Sequence, residues 1–190
     1  MANPATVASW TMPSVATVSQ AYRVMRDHQP VLHTAPGSSV PSQPSSLAGT
    51  AGTTVGQTAA STSAGADTLI QLINQARIQS GLAPYTVNAT LMHLAQTRAQ
   101  ALATDGVFTS DLPTLGWPIQ MEQAAGISAL GMGAENIAEA SSVAAAFELL
   151  MASPPHRSNI LNPYETQVGV GVARLSNGVA VSELFIGPNS

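Results

Sequence analysis

The chain contains no cysteine and no lysine among its 190 residues. The absence of cysteine excludes a disulfide framework, a thiolate nucleophile and a thiolate metal site. The absence of lysine excludes Schiff-base chemistry and amine-based phosphate binding, and all six basic side chains are arginines. Since many exported bacterial proteins also lack cysteine, its absence does not assign the protein to a compartment.

Charge is scarce as well, because charged residues make up only 8% of the chain and the net charge is −4. Each buried charge then needs a partner, since moving an ion out of water is costly. No basic cluster is present, which argues against nucleic-acid binding. The sequence also has no apolar run of membrane-spanning length, and its N-terminus lacks the basic start and apolar core of a signal peptide.

Composition divides the chain into three parts. Residues 30–66 are almost entirely Ser, Thr, Ala, Gly, Pro and Val without a charge, so we expect a flexible linker. Residues 14–28 carry apolar side chains at helical spacing, so residues 1–29 are expected to form a non-globular arm with one short helix. Residues 67–190 hold nine of the ten acidic side chains and are predicted to form the folded domain.

The folded domain is predicted to belong to the α+β class. Capping residues and apolar spacing predict helices over residues 67–81, 89–104 and 142–151, with one turn of helix expected between residues 119 and 124. Ser153-Pro154 is expected to open a short turn that continues through Leu161. Residues 167–175 and 179–186 flank an Asn-Gly turn, which predicts a β-hairpin. This element order favours helices packed on an antiparallel sheet.

Two ionisable side chains are candidates for chemistry. Glu135 follows a glycine-rich stretch that would let the backbone approach a ligand and aim the carboxylate inward. It is either a general base, a metal ligand or a ligand anchor, or else a structural carboxylate. His156 follows two prolines, which places it on a rigid turn, and it is either a metal ligand, a proton shuttle or an ordinary hydrogen-bonded histidine.

The other polar candidates favour structural roles. His93 lies in the second predicted helix and is expected to be a satisfied helix histidine, and Arg157 is expected to bond neighbouring carbonyl groups. The sequence has no Gly-x-Ser-x-Gly element and no pattern that supports a catalytic triad. It also lacks a phosphate loop and a dinucleotide-binding fingerprint.

Five segments, in this order, resemble the CAP superfamily, which includes cysteine-rich secretory proteins, antigen 5 and plant pathogenesis-related proteins. The similarity is greatest to its short bacterial branch. The segments are Leu72–Arg77 with Gly81–Pro84, Leu91–Ala99, Gly133–Ala138, Ser153–Leu161 and Val168–Gly171. They extend over about residues 67–187 and leave the N-terminal arm outside. The resemblance implies an α-β-α sandwich, the fold of the CAP (or SCP-like) domain.

The resemblance also implies a cleft lined by two histidines and acidic residues, which in this family can bind a divalent ion such as zinc. Glu135, with Asn136 beside it, and His156 match this cleft. Ser110 stands where the other histidine is expected, and Asp111 is the neighbouring side chain that could replace it. A stable zinc centre needs three or more protein ligands, so His156 and Glu135 are expected to form only a weak metal site.

Three functions remain open at this point. The first is a non-catalytic binding or structural module displayed outside the cell, with a lipid or glycan ligand. In this reading residues 1–66 mediate self-association or anchor the module to a larger assembly such as an extracellular polymer or a virion. The second is a hydrolase in which Glu135 is the general base and His156 orients water or a metal. The third is a small-molecule or lipid carrier whose groove contains Met121, Leu130 and Met132, which could equally be core residues.

Overall fold

The computed structural model describes residues 32–33, 54–127 and 133–188, with side chains from residue 62 onward. The helices of these ranges are α1 (Thr54–Gln79), α2 (Ala89–Asp105), α3 (Pro118–Ala124), α4 (Val143–Ala152) and α5 (Pro154–Ile160). The strands are β1 (Leu32–His33), β2 (Thr86–Val87), β3 (Ala134–Ala140), β4 (Gln167–Leu175) and β5 (Gly178–Ile186).

The strands form one sheet in the order β1-β3-β5-β4-β2. Its centre is antiparallel, with β5 between β3 and β4, whereas the two short edge strands pair in parallel with their neighbours. The predicted hairpin is confirmed, because β4 and β5 pair along their whole length around the turn before Gly178. Strand β3 of this sheet carries two residues of the candidate site, Glu135 and Asn136.

Glycines on one face of the sheet let α2 pack directly against the strands. A Cβ atom on Gly169 would collide with the backbone of Leu91, and one on Gly171 would collide with the backbone of Ala95. The helix therefore lies closer to β4 than any side chain would allow. This close approach brings the buried face of α2 within reach of β3 and β5.

The opposite face of the sheet carries the larger apolar core. Helices α1 and α4 pack there, and Leu69, Ile73 and Leu150 are fully buried against the sheet. With α2 on one face and α1 and α4 on the other, the predicted α-β-α sandwich is confirmed.

The predicted helix ends are confirmed where a side chain or a glycine forms the cap. Asn88 accepts a hydrogen bond from the N–H of Leu91 at 3.1 Å, and Ser142 caps α4 in the same way. Gly81 and Gly106 follow α1 and α2 with φ of 75° and 64°, the left-handed conformation in which a glycine ends a helix without strain.

The first helix begins well before the predicted boundary, at Thr54 rather than at Asp67. Ala66 is buried in the core, and a Cβ atom on Gly65 would lie 3.4 Å from the side chains of Val143 and Val172. The small residues that suggested a linker instead allow the helix to lie close to α4 and β4. The helix predicted over residues 14–28 lies outside the described residues.

The rigid turn predicted for His156 was wrong, and no strand was predicted at Glu135. Glu135 lies in strand β3, which pairs with β5 over all seven of its residues, and His156 lies in helix α5. The strand escaped prediction because β3 is covered on both faces, so its sequence shows no alternation of apolar and polar residues. Glu135 and Asn136 are buried polar residues of this strand, so the continuous apolar run that is typical of a strand covered on both faces is missing.

Candidate functional site

Glu135 is held by a buried ion pair with Arg98 of α2. The Nε of Arg98 donates to Oε1 of Glu135 at 2.5 Å, and Nη2 donates to Oε2 at 3.1 Å. Ser182 of β5 also donates to Oε1, at 3.0 Å. Both carboxylate oxygens therefore have donors, and both ions are almost completely removed from solvent. A two-pronged pair of this kind is among the strongest hydrogen-bonded arrangements in proteins.

Arg98 uses its remaining donors to fix the loop between α2 and α3. Nη2 donates to the carbonyl oxygen of Ser110 at 2.7 Å, and Nη1 donates to that of Gly116 at 3.0 Å. Nη1 also lies 3.5 Å from the sulfur of Met121. The guanidinium group thus connects β3, the loop and α3 through a single buried side chain.

Glu122 of α3 lies beside this ion pair, and the described residues leave one of its carboxylate oxygens without a hydrogen bond. Its side chain is 3% exposed, and its Oε1 has no hydrogen-bond partner among the described residues. Burial, together with the negative charge of Glu135, raises the pKa of Glu122 to about 7 against the opposing effect of Arg98. Glu122 is therefore poised to be protonated near neutral pH.

Asn136, the next residue of β3, organises a second network. Its Nδ2 donates to Oε2 of Glu183 at 2.9 Å and to the carbonyl oxygen of His156 at 3.0 Å. Its Oδ1 accepts from Asn159 of α5 at 2.8 Å. This amide joins α5 to strands β3 and β5, and all four residues are buried.

The His156 ring is fully buried and bonded at one nitrogen. Its Nδ1 lies 2.7 Å from Oγ of Ser153, and its Nε2 has no partner among the described residues. Burial lowers the pKa of His156 to about 4, so the imidazole is neutral at physiological pH. A neutral ring inside the protein cannot meet a ligand unless α5 moves.

Glu135 and His156 lie on opposite faces of the sheet. Successive side chains of a strand point to opposite faces. Glu135 points toward α2, where it meets Arg98, whereas Asn136 points toward α5, where it meets the backbone of His156. The structure therefore does not bring the two candidate residues into one cleft.

A second buried arginine ties the end of α1 to the loop after α5. Arg77 donates to the carbonyl oxygens of Ala83, Ile160 and Asn162 at 2.8–2.9 Å. Its guanidinium carbon lies 3.5 Å from the centre of the Tyr85 ring, a cation–π contact. These contacts anchor the chain and leave the charge no access to a ligand.

Two further glutamates are buried in a protonated state. Burial raises the pKa of Glu183 to about 8, although the hydrogen bond from Asn136 opposes the shift. Burial also raises the pKa of Glu165 to about 8, against a backbone hydrogen bond from Ala134 and the charge of Arg77. Both carboxyl groups therefore bind protons at neutral pH.

These side chains do not fit the zinc site that the resemblance implies. No group of three or more His, Cys, Asp or Glu residues in the described ranges is arranged to hold a metal ion. Glu135 is already bound by Arg98 and Ser182, and His156 lies beyond the sheet. Ser110 contributes a backbone carbonyl to Arg98, and Asp111 is exposed.

The other side chains singled out in the sequence lie away from this centre. His93 is exposed on α2, and Arg157 is exposed on α5. Met121 is half-buried on α3 and packs against the core, whereas Leu130 and Met132 lie outside the described residues. The groove proposed for a lipid therefore has only one of its three side chains in the described part of the chain.

Arg98 and Glu122 are the two site residues that sequence reasoning missed. Arg98 lies in helical register with the buried Leu91, Leu94 and Leu102, so an arginine interrupts an otherwise apolar stripe. Because the chain has so few charges, an arginine in an apolar stripe could have predicted a buried ion pair. Glu122 gave no comparable signal, because α3 is too short to establish a pattern.

An open groove of about 510 Å³ follows the outer side of α2. Its lining includes His93, Gln96, Gln100, Asp105, Thr114 and Leu115. Several lining residues carry amide or hydroxyl groups, but most of the accessible surface of the groove is apolar. Among the helices of the described ranges, none has the length and hydropathy of a segment that crosses a bilayer.

Sequence comparison shows which protein family the chain matches. The sequence model of the cysteine-rich secretory protein family, CAP, matches residues 70–186. The uncharacterized protein YkwD of Bacillus subtilis strain 168 is 34% identical over 120 residues, which cover 63% of this chain and 46% of YkwD. The chain therefore spans less than half the length of that relative.

Solved structures agree on the fold. An extracellular protein of Bacillus anthracis strain Ames that contains an SCP domain superposes with a TM-score of 0.64 at 24% identity, over 71% of this chain and 44% of that one. An outer surface protein of Borrelia burgdorferi superposes with a TM-score of 0.59 at 17% identity, over 66% of this chain and 93% of that one. The family match covers most of the chain and the fold is the same; the chain belongs to the CAP family of cysteine-rich secretory proteins.

Proposed function

We propose that this CAP domain is a non-catalytic binding or structural module displayed outside the cell, and that the N-terminal residues anchor it to a larger assembly. The observation that carries the non-catalytic part is the state of Glu135. Arg98 and Ser182 donate to both of its oxygens inside the protein, so the carboxylate has no free position from which to activate water.

Display outside the cell is supported by the neighbours of known structure. One of them is an extracellular protein and another is an outer surface protein. Anchoring through the N-terminal part is supported by its composition, because residues 34–53 combine Ser, Thr, Gly, Ala and Pro without a charge. Such a sequence suits a tether better than a packed domain.

Sedimentation of the protein from its native source, followed by mass spectrometry, tests the anchoring. We expect the full chain to travel with a large particle, and a chain that begins at Thr54 to remain free at the same expression level. Thermal melting of the shortened chain provides the control that its CAP domain is still folded. A full chain that sediments as a free monomer would contradict the proposal.

The hydrolase is the competing function, and matched variants separate it from a binding module. If Glu135 and His156 performed hydrolysis, Glu135→Gln and His156→Ala would abolish any turnover in variants that remain folded. We expect instead that the purified protein shows no Glu135-dependent turnover on ester, peptide or glycoside substrates. Turnover that disappears with Glu135→Gln in a variant as stable as the wild type would overturn the non-catalytic assignment.

The groove on α2 is the candidate site for a glycan ligand of the module. Its amide and hydroxyl groups match the donors and acceptors of a sugar, and its mostly apolar surface can pack against the faces of the sugar rings. Titration with neutral oligosaccharides would show saturable binding that Gln100→Ala weakens and the exposed Gln71→Ala does not. Equal binding by both variants, or binding of phospholipid vesicles alone, would rule this ligand class out.

A further inference from the structure

The outer edge of β3 receives a strand from a distant part of the chain. Strand β1 pairs in parallel with β3 at two positions, Leu32 with Ala138 and His33 with Glu139. On its other side β3 pairs with β5 at all seven residues. The edge of β3 therefore accepts a short extended segment, and the segment it accepts belongs to the N-terminal part.

The connection between β1 and α1 is long enough for β1 to reach either of two β3 edges, that of its own domain or that of a second copy. It comprises residues 34–53, and its 21 peptide steps could extend over about 70 Å. A domain of this size has a diameter of about 35 Å, from the usual scaling of the radius of gyration. The connection could thus bring β1 to the β3 edge of its own domain or to that of an adjacent copy.

We propose that the β3 edge is a strand-exchange site at which Leu32–His33 of one copy pairs with Ala138–Glu139 of a second copy. Strand pairing uses backbone groups, so the exchanged pairing makes the same hydrogen bonds as the pairing within one chain. This inference rests on the proposed function, because it names the contact through which the N-terminal part joins copies into an assembly.

Concentration decides which pairing is populated. A connection of this length gives the strand an effective concentration in the millimolar range at its own edge. Dilute protein in solution keeps its own strand, whereas copies that are densely packed on an assembly compete for each other's edges. The exchange is therefore expected to increase as the protein concentration approaches the millimolar range.

The absence of cysteine makes the exchange directly measurable. His33→Cys and Glu139→Cys place the only two thiols of the chain at register partners, which lie within the Cα separation that a disulfide requires. Glu139 is only partly buried, so an oxidant can reach its position. The double variant should form an intrachain disulfide at micromolar concentration.

The decisive sample is a mixture of the single variants His33→Cys and Glu139→Cys. In this mixture a disulfide between positions 33 and 139 can form only between two copies, so it requires strand exchange. We expect the linked peptide, identified by mass spectrometry, to rise with concentration and to exceed by about tenfold the product of a matched mixture. That control pairs His33→Cys with Glu148→Cys, an exposed position on α4. Equal yields in the two mixtures, or a double variant without the intrachain disulfide, would overturn the inference.

This experiment separates the inference from the proposed function. If the native protein sediments with a particle but the mixed variants give no 33–139 disulfide, the proposed anchoring stands and strand exchange is ruled out. If the native protein sediments alone but the purified mixture forms this disulfide, anchoring to a larger assembly is ruled out and exchange between copies is supported.

Discussion

Four buried glutamates share the interior of a domain that has few charges. Glu135 forms an ion pair with Arg98, whereas burial raises the pKa of Glu122 to about 7 and those of Glu165 and Glu183 to about 8. The difference lies in the partner. Arg98 pairs with Glu135, whereas burial favours the protonated form of the other three carboxyl groups. At the scale of the residue, these carboxyl groups are part of the fold.

The raised pKa values predict that stability falls as pH increases. From the ordinary glutamate pKa of 4.5 up to about 8, the folded state holds protons on Glu165 and Glu183 that the unfolded state has lost. His156 acts oppositely, because its pKa of about 4 in the folded state makes stability rise from pH 4 to its ordinary pKa of 6.5. We expect urea unfolding to give a maximum near pH 4 and a decline above it, because above the ordinary glutamate pKa the two glutamates outweigh the one histidine. Stability that increases from pH 6 to pH 8 would contradict these assignments.

Replacement of Glu183 isolates one contribution to this decline. Glu183→Gln keeps the oxygen that accepts the hydrogen bond from Asn136 but cannot ionise. We expect its free energy of unfolding to match the wild type near pH 5 and to exceed it by at least about 1 kcal/mol at pH 8.5. The exposed Glu148→Gln serves as the control and should follow the wild type at both pH values.

At the scale of the element, glycines decide how closely the helices approach the sheet. Gly171→Ala would drive its Cβ into the backbone of Ala95, so we expect a loss of about 3 kcal/mol or more in the free energy of unfolding. Gly65→Ala meets only ordinary contacts and lies inside α1, so it should stabilise the protein by about 0.5–1 kcal/mol. Chemical denaturation of both variants checks this contrast, and equal effects would show that α2 is not in backbone contact with β4.

The same elements show what the sequence could predict and why the rest was missed. Asn88 and the Asn-Gly turn act locally, through hydrogen bonds and φ angles within a few residues, and their helix start and hairpin were predicted correctly. Strand β3 is specified by its neighbours on both sides and by buried polar contacts to α2 and α5. The ion pair of Glu135 depends on a partner 37 positions earlier in the chain, which local patterns do not reveal.

At the scale of the whole molecule, the boundary of the folded domain is open to a direct test. The sequence placed it at Asp67, but α1 begins at Thr54 and Ala66 is buried in the core. We propose that the independently folding unit begins near Thr54. A chain that starts there should unfold at a temperature several degrees above that of a chain that starts at Asp67. Equal melting temperatures would restore the boundary at residue 67.

The central claim is that Glu135 serves the fold through Arg98 and performs no chemistry. A double-mutant cycle with Arg98→Met and Glu135→Gln, measured by urea unfolding at pH 7, tests it most directly. We predict that each single variant loses about 3–5 kcal/mol, because it leaves a buried charge without its partner, and that the double variant loses at least about 1 kcal/mol less than the sum. A Glu135→Gln variant as stable as the wild type, or more stable, would contradict the account, because that is the behaviour of a carboxylate kept for function at the expense of stability.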